Sequence, residues 1–173
     1  HTVTAILPHV WEAAEGQPLL RIQVLAASQR LVFSLGSKST SIYSFILPVV
    51  GYSSKATGPE ALNLLEDGLQ LWHTVVKHAP QMIPELLQLF PLLLELVQQT
   101  LEHVQVAMKI LESYVILCGR PFLETYGVMT ASILDTILGN VKEKGTLLVI
   151  PVLDTIIQCF PSEAPALLEV VLQ

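Results

Sequence analysis

The chain has 173 residues, of which 51% are hydrophobic and only 14% are charged, and its formal net charge is −6. This balance is more apolar than that of an average globular domain, so the chain buries much of its surface or sits in a larger apolar assembly. Its few basic residues are scattered, which excludes a phosphate-binding surface and direct nucleic acid binding. The longest uncharged stretch, 39–54, is rich in Ser and Thr and too short for a membrane span of about 20 apolar residues, so no membrane insertion is expected.

Helical periodicity dominates the sequence, and Pro, Gly and Ser divide it into about nine predicted helices. Pro18 in a first turn and Gly36 after a last turn mark the ends of the second helix. Gly51 is expected to close the third helix, which makes 51–58 the longest predicted loop. In chain order the predicted helices span roughly 2–14, 18–35, 39–50, 59–77, 83–97, 101–117, 121–138 and 145–158, and a last one begins near 164.

The predicted helices repeat in pairs. The segment Ile6–Val10 recurs forty residues later as 46–50, so Pro8 and Pro48 share one place inside the first helices of successive pairs. Pro91 is expected to occupy a similar place inside the fifth helix. A proline inside a helix removes a hydrogen bond and kinks the helix, which a curved array of helices tolerates.

The second helices of the pairs align at steps of 41, 42 and 41 residues. Positions spaced i, i+4, i+7 and i+11 fall on one face of a helix, so each second helix is expected to bury the same stripe. More polar columns lie between the apolar ones, such as the column of Gln29, Gln70 and Glu112. The buried columns are Val24, Leu65, Ala107, Leu148; Ser28, Leu69, Leu111, Val152; Leu31, Trp72, Tyr114, Thr155; and Leu35, Val76, Cys118, Cys159.

A period near 41 residues with two helices each is typical of HEAT-type repeats. The predicted fold is therefore all-α, a right-handed α-solenoid of antiparallel helix pairs of the HEAT/ARM-like type. The predicted pairs cover 1–37, 38–79, 80–119 and 120–160, with a partial fifth over 161–173. Because there is no initiator Met and neither end has a polar capping repeat, we expect a single segment of a longer solenoid.

The two cysteines fall at equivalent positions of adjacent repeats. Packed helices lie about 8–10 Å apart, whereas a disulfide needs Cα atoms within about 7 Å. Cys118 and Cys159 are therefore expected to be buried, reduced thiols in a stacked core column, as in an intracellular protein.

No motif for nucleophilic catalysis, phosphate binding, dinucleotide binding or metal binding occurs in the sequence, so no catalytic residue, cofactor or metal is predicted and the chain is not expected to be an enzyme. Glu66 and Asp67 form an adjacent acidic pair, but neighbours on a helix do not face each other. A solvated or partner-binding face is the better interpretation. Trp11, at the end of the first helix, is expected to be exposed.

Three segments carry a family resemblance: Leu64–Trp72 (LLEDGLQLW), Pro84–Leu87 (PELL) and Phe122–Tyr126 (FLETY). Their order and spacing resemble the importin-β superfamily of nuclear transport receptors (karyopherins), and most closely its importin eleven type, over about Ser41 to Leu138. The resemblance implies a HEAT array that carries protein cargo through nuclear pores and releases it to Ran-GTP. It also implies that FG nucleoporins bind between the outer, first helices and that cargo or Ran binds the inner, second helices. The implied location is the cytoplasm and the nucleus, including the nuclear envelope.

The polar columns of the second helices are the candidate partner-binding surface implied by this resemblance. Solvated groups and hydrogen bonds between repeats are the alternative role for the same side chains. A HEAT scaffold or adaptor outside nuclear transport is the alternative function, and a helical enzyme would need a cleft with converging titratable residues. The candidate residues are Glu66, Asp67, Gln70, Lys109 and Glu112.

Overall fold

The computed structural model describes residues 2–140 and 143–171, and these residues form helices and connecting turns without a β-strand. The chain divides into two compact units, residues 1–80 and 81–173. The division falls next to the predicted end of the second helix pair at residue 79. No helix in the described part is long and apolar enough to cross a bilayer.

The first unit is built around the contact between two long second helices. Helix α2 packs lengthwise on α4, and α3 also packs on α4. The predicted stripe is buried here, with Val24 and Leu69 in the core and Trp72 among the largest fully buried side chains. The elements are α1 (Thr2–Ala13), α2 (Pro18–Leu35), a 3-10 helix (Gly36–Ile42), α3 (Tyr43–Ser53) and α4 (Ala61–His78).

Helices α3 and α4 approach each other most closely at Gly68. A Cβ atom placed on Gly68 would lie 2.6 Å from Ser53 Oγ and 2.8 Å from the Ser53 carbonyl carbon. These distances are far below van der Waals contact, so a residue without a side chain is needed for this packing. Gly68 lies in the segment Leu64–Trp72 that carries the resemblance. The close contact between α3 and α4 gives a physical reason for a glycine at this position.

The second unit has the same organisation, with α7 packed on α9 and α8 packed on both α6 and α10. Phe90 is central to its core, because its ring centroid lies 4.9–5.1 Å from those of Tyr114, Phe122 and Tyr126. The Tyr114 hydroxyl also donates a hydrogen bond to the Leu86 carbonyl at 2.6 Å. The helices are α5 (Pro84–Leu87), α6 (Pro91–Gln99), α7 (Val104–Cys118), α8 (Arg120–Asn140), α9 (Glu143–Cys159) and α10 (Ala164–Val171).

Most predicted helix bounds agree with the structure to within about two residues, but the predictions for Pro91 and Gly51 were wrong. Pro91 does not lie inside the fifth helix; it begins α6, because it has no N–H and the Leu87 carbonyl instead accepts from the Phe90 N–H at 3.0 Å. Pro8 and Pro48 lie inside α1 and α3 as predicted. Helix α3 runs through Gly51 to Ser53, so the predicted loop shortens to 54–60.

The last of the predicted buried columns is only partly buried in the structure. Val76 is buried and Cys118 is half-buried, but Cys159 is exposed, which corrects the prediction of two buried thiols. Cys159 is the last residue of α9, so it lies beyond the turns that pack on α7. Both thiols are free, and burial raises the pKa of Cys118 to about 12. The assignment of the helices to four pairs and a partial fifth stays a prediction.

Candidate functional site

A surface groove of about 550 Å³ lies between α1 and α3 in the first unit. The prolines inside α1 and α3 line it, and its other lining residues are mostly aromatic or small. Glu12 is the one charged residue among them. The lining residues are Pro8, Trp11, Glu12, Ser44, Phe45, Pro48, Val49 and Tyr52.

One wall of this groove rests on a buried arginine. The Arg21 guanidinium carbon lies 4.7 Å from the Trp11 ring centroid and 5.0 Å from that of Tyr52, within the range of cation–π attraction. Arg21 donates a hydrogen bond to the Tyr52 hydroxyl at 3.0 Å and forms an ion pair with Glu60. Trp11 is thus half-buried against Arg21 and Tyr52 and not exposed as predicted, because α2 and α3 supply its contacts.

The hydrogen-bond partners of Arg21 stabilise its positive charge. Burial lowers the pKa of Arg21, but hydrogen bonds to Glu60 and Tyr52, together with their charges, outweigh burial and raise it. The predicted site residues did not include this arginine. The signal was present, since Arg21 lies three and seven residues before the buried Val24 and Ser28, and a charge in a buried stripe needs a partner.

Three candidate partner-binding residues lie on α4 in the first unit. Glu66 and Gln70 are exposed and one helical turn apart, and Asp67 beside them is half-buried. Burial, and then the neighbouring charge of Glu66, raise the pKa of Asp67. The ionised form of Asp67 is therefore less favourable in the folded chain than in the unfolded chain.

Substitution of Asp67 by asparagine is expected to raise the stability of the first unit slightly at neutral pH. Because the folded-state pKa of Asp67 is raised, the folded chain binds a proton more tightly than the unfolded chain. The contribution of Asp67 is then most favourable at pH values below its ordinary pKa and is lost as the pH rises through the folded-state pKa. Thermal unfolding of wild type and Asp67→Asn from acidic to neutral pH measures this; a variant less stable at neutral pH would contradict it.

The other two candidates lie on α7 in the second unit and differ in exposure. Lys109 is exposed, whereas Glu112 is half-buried and accepts a hydrogen bond from Thr155 Oγ1 of α9 at 2.9 Å. In the first unit, Gln29, from the same column as Glu112, donates to Thr74 of α4 at 3.2 Å. Glu112 therefore makes an inter-helix hydrogen bond, which agrees with the alternative, structural role given for these polar side chains.

The sequence and the fold of the chain match those of known proteins. A family model described as "Importin-11-like, TPR repeats" matches residues 22–173. The chain belongs to the importin-11-like family. It is 31% identical to human Importin-11 and 30% identical to mouse Importin-11, in each case over 166 residues. These 166 residues cover 96% of this chain and 17% of each relative. The Importin beta-like protein kap113 of Schizosaccharomyces pombe is 24% identical over 83% of this chain and 14% of the relative.

The fold prediction is confirmed by a solved structure. That of Lph2, a novel bidirectional nuclear transport receptor in S. cerevisiae, matches with a TM-score of 0.81 at 20% identity, over 98% of this chain and 18% of that chain. The all-α helical-repeat fold is therefore that of a karyopherin solenoid. The family description names TPR repeats, but the period of 41–42 residues is closer to HEAT repeats of about 40–47 residues than to TPR repeats of about 34.

Proposed function

We propose that the chain is a protein-binding part of a nuclear import receptor that carries protein cargo through nuclear pores under Ran-GTP control. The observation that carries this proposal is the 31% identity to Importin-11 across 96% of the chain. The chain spans about one sixth (17%) of that relative, so cargo, Ran-GTP and FG nucleoporins are partners proposed for the full-length receptor. Such a receptor moves between the cytoplasm and the nucleus and passes the nuclear envelope.

The proposed mechanism is mechanical, and no bond is made or broken. In a repeat array each repeat touches only its neighbours, so small changes in many inter-repeat contacts add up to a change in curvature. In the predicted assignment of helix pairs, the contacts of α2 with α4 and of α7 with α9 join successive repeats. A ligand shifts the curvature only by its differential affinity for the two shapes, so cargo and Ran-GTP oppose each other through shape as well as by overlap.

The groove between α1 and α3 is the proposed site for FG nucleoporins. Its lining is aromatic and proline-rich with Glu12 as its single charge, which suits the uncharged Phe-Gly segments that the family resemblance implies. Ser44 is exposed on α3, so the variant Ser44→Glu introduces a charge at the groove without disturbing the core. It is expected to lose binding to a Phe-Gly peptide, while Leu62→Glu, at a fully exposed position on α4, should retain it.

The exposed polar residues of α4 and α7 are the proposed cargo contacts. Glu66, Asp67, Gln70 and Lys109 present side chains with partial or full exposure. The hydrogen bond from Thr155 supports a structural role for Glu112 instead. Charge reversal at Glu66 is therefore expected to reduce cargo capture more than Glu112→Gln does.

A pull-down from cytosolic extract with the full-length receptor, in the presence and absence of GTP-locked Ran, tests the proposal. Proteins that bind and are then released by Ran-GTP are the expected result, and they would also identify the cargo. Partners that ignore Ran-GTP, together with no binding of Ran, would contradict nuclear import and favour a HEAT scaffold outside transport. Partners that bind only with Ran-GTP would indicate export.

A further inference from the structure

A second groove, of about 360 Å³, lies between α8 and α10 in the second unit and differs in chemistry from the one between α1 and α3. Six of its lining residues come from α8 at positions 120, 123, 124, 127, 128 and 131, which form one stripe of the helix. Leu167 and Ala166 line the side of α10, and Val128 is 88% exposed in the opening. Among the described residues, the walls are aliphatic and contain no aromatic ring.

The charges of this groove are concentrated at one end. Arg120 forms an ion pair with Glu163 and lies 3.9 Å from Glu124, whose side chain is 71% exposed. One cation therefore faces two carboxylates, and the groove has an excess negative charge beside an apolar surface. Glu124 retains acceptor capacity toward solvent, because a carboxylate has about four lone-pair sites.

The surroundings have the same sign. Residues 81–173 carry ten acidic and four basic side chains, which accounts for the whole net charge of −6, whereas residues 1–80 carry five of each. Helix α8 together with residues 161–171 has a net charge of −3, from Arg120 against Glu124, Asp135, Glu163 and Glu169. Complementary charge steers partners and selects among them.

We propose that the α8–α10 groove binds a short segment of a partner protein with an aliphatic anchor residue and a Lys or Arg beside it. The aliphatic side chain fills the space between Val128 and Leu167, and the basic group binds Glu124 at the charged end. This inference goes beyond the proposed function, since the groove shares no lining residue with the α4 and α7 positions proposed to contact cargo or with the α1–α3 groove assigned to nucleoporin segments.

Selection of a phage-displayed library of random short peptides on the full-length protein tests this proposal without Ran or cargo. Peptides that bind wild type and Leu62→Glu but not Val128→Glu are expected to share an aliphatic residue next to Lys or Arg. Val128→Glu should weaken a selected peptide by about tenfold or more, because it puts a carboxylate into an apolar contact. Glu124→Gln should weaken it by about two- to fivefold, the effect of an exposed ion pair.

The charge-reversed variant Glu124→Lys decides the role of the acidic end. Repeated selection on this variant should replace the basic residue with an acidic or neutral one while the aliphatic anchor remains. An unchanged basic consensus, uncharged Phe-Gly peptides in the groove, or no peptide sensitive to Val128→Glu would each overturn the proposal. Circular dichroism checks that the variants are folded. Because Val128 and Glu124 are exposed, their substitution is not expected to disrupt the fold. Because the selection needs no Ran, its outcome is independent of the pull-down.

Discussion

Replacement of Glu60 by alanine is expected to lower the free energy of unfolding of the first unit by about 3 kcal/mol or more, the usual cost of breaking a buried ion pair. The Arg21 side chain is 8% exposed, so the substitution leaves a cation between the Trp11 and Tyr52 rings, with the Tyr52 hydroxyl as its remaining hydrogen-bond partner among the described residues. The two tryptophans of the chain, Trp11 and Trp72, both lie in this unit. Tryptophan fluorescence during urea unfolding therefore reports its stability directly.

Two further variants separate the buried charge from the loss of a contact. Arg21→Met removes the cation itself and leaves Glu60, which lies just before α4 with more access to water, so we expect it to cost less than Glu60→Ala. Arg30 is exposed on the same helix, and Arg30→Met should change stability by no more than about 0.5 kcal/mol. An effect of Glu60→Ala as small as that of Arg30→Met would show that the cluster contributes little.

The buried ion pair also illustrates what the sequence could and could not predict. Helix positions and the buried columns followed from periodicity, because a 3.6-residue repeat of apolar side chains directly reflects which face is buried. Trp72 and Leu69 lie in the core as that pattern predicts. The partners of Arg21 come from 31 and 39 residues further along the chain. Only the packing of α2, α3 and the start of α4 brings them together, so periodicity within one helix carries no information about them.

The candidate binding surfaces were predictable to a different degree. The polar columns identified exposed residues such as Glu66 and Lys109, because polar positions between buried ones face away from the core. They did not reveal that Glu112 is bonded to α9, since that depends on the register between two helices. The grooves were not predicted either. Each forms where two separate helices leave space, and the residues that shape the α8–α10 groove lie up to 47 positions apart along the chain.

Substitution of Gly68 by leucine is expected to lower the stability of the first unit by about 3 kcal/mol, the upper range for overpacking a core. Alanine already places a Cβ within 2.8 Å of the Ser53 backbone carbon, and backbone cannot move aside as a flexible side chain does. Helices α3 and α4 must then separate. For Gly68→Ala this cost is partly offset by the roughly 1 kcal/mol that alanine contributes over glycine in a helix, so its net loss should be smaller than that of leucine.

Gly139 supplies the matched control, because it lies in α8 and a Cβ atom added to it would have open space for 4 Å around it. Gly139→Ala should leave stability unchanged or slightly raised, as followed by circular dichroism. A double-mutant cycle identifies the contact: Ser53→Gly removes the Oγ and Cβ atoms that a side chain at position 68 would meet but leaves the carbonyl carbon. Partial rescue of Gly68→Ala by Ser53→Gly is expected. If the stability changes of the two substitutions were strictly additive, the strain would lie elsewhere. The packing of α3 on α4 would then not account for the glycine at position 68.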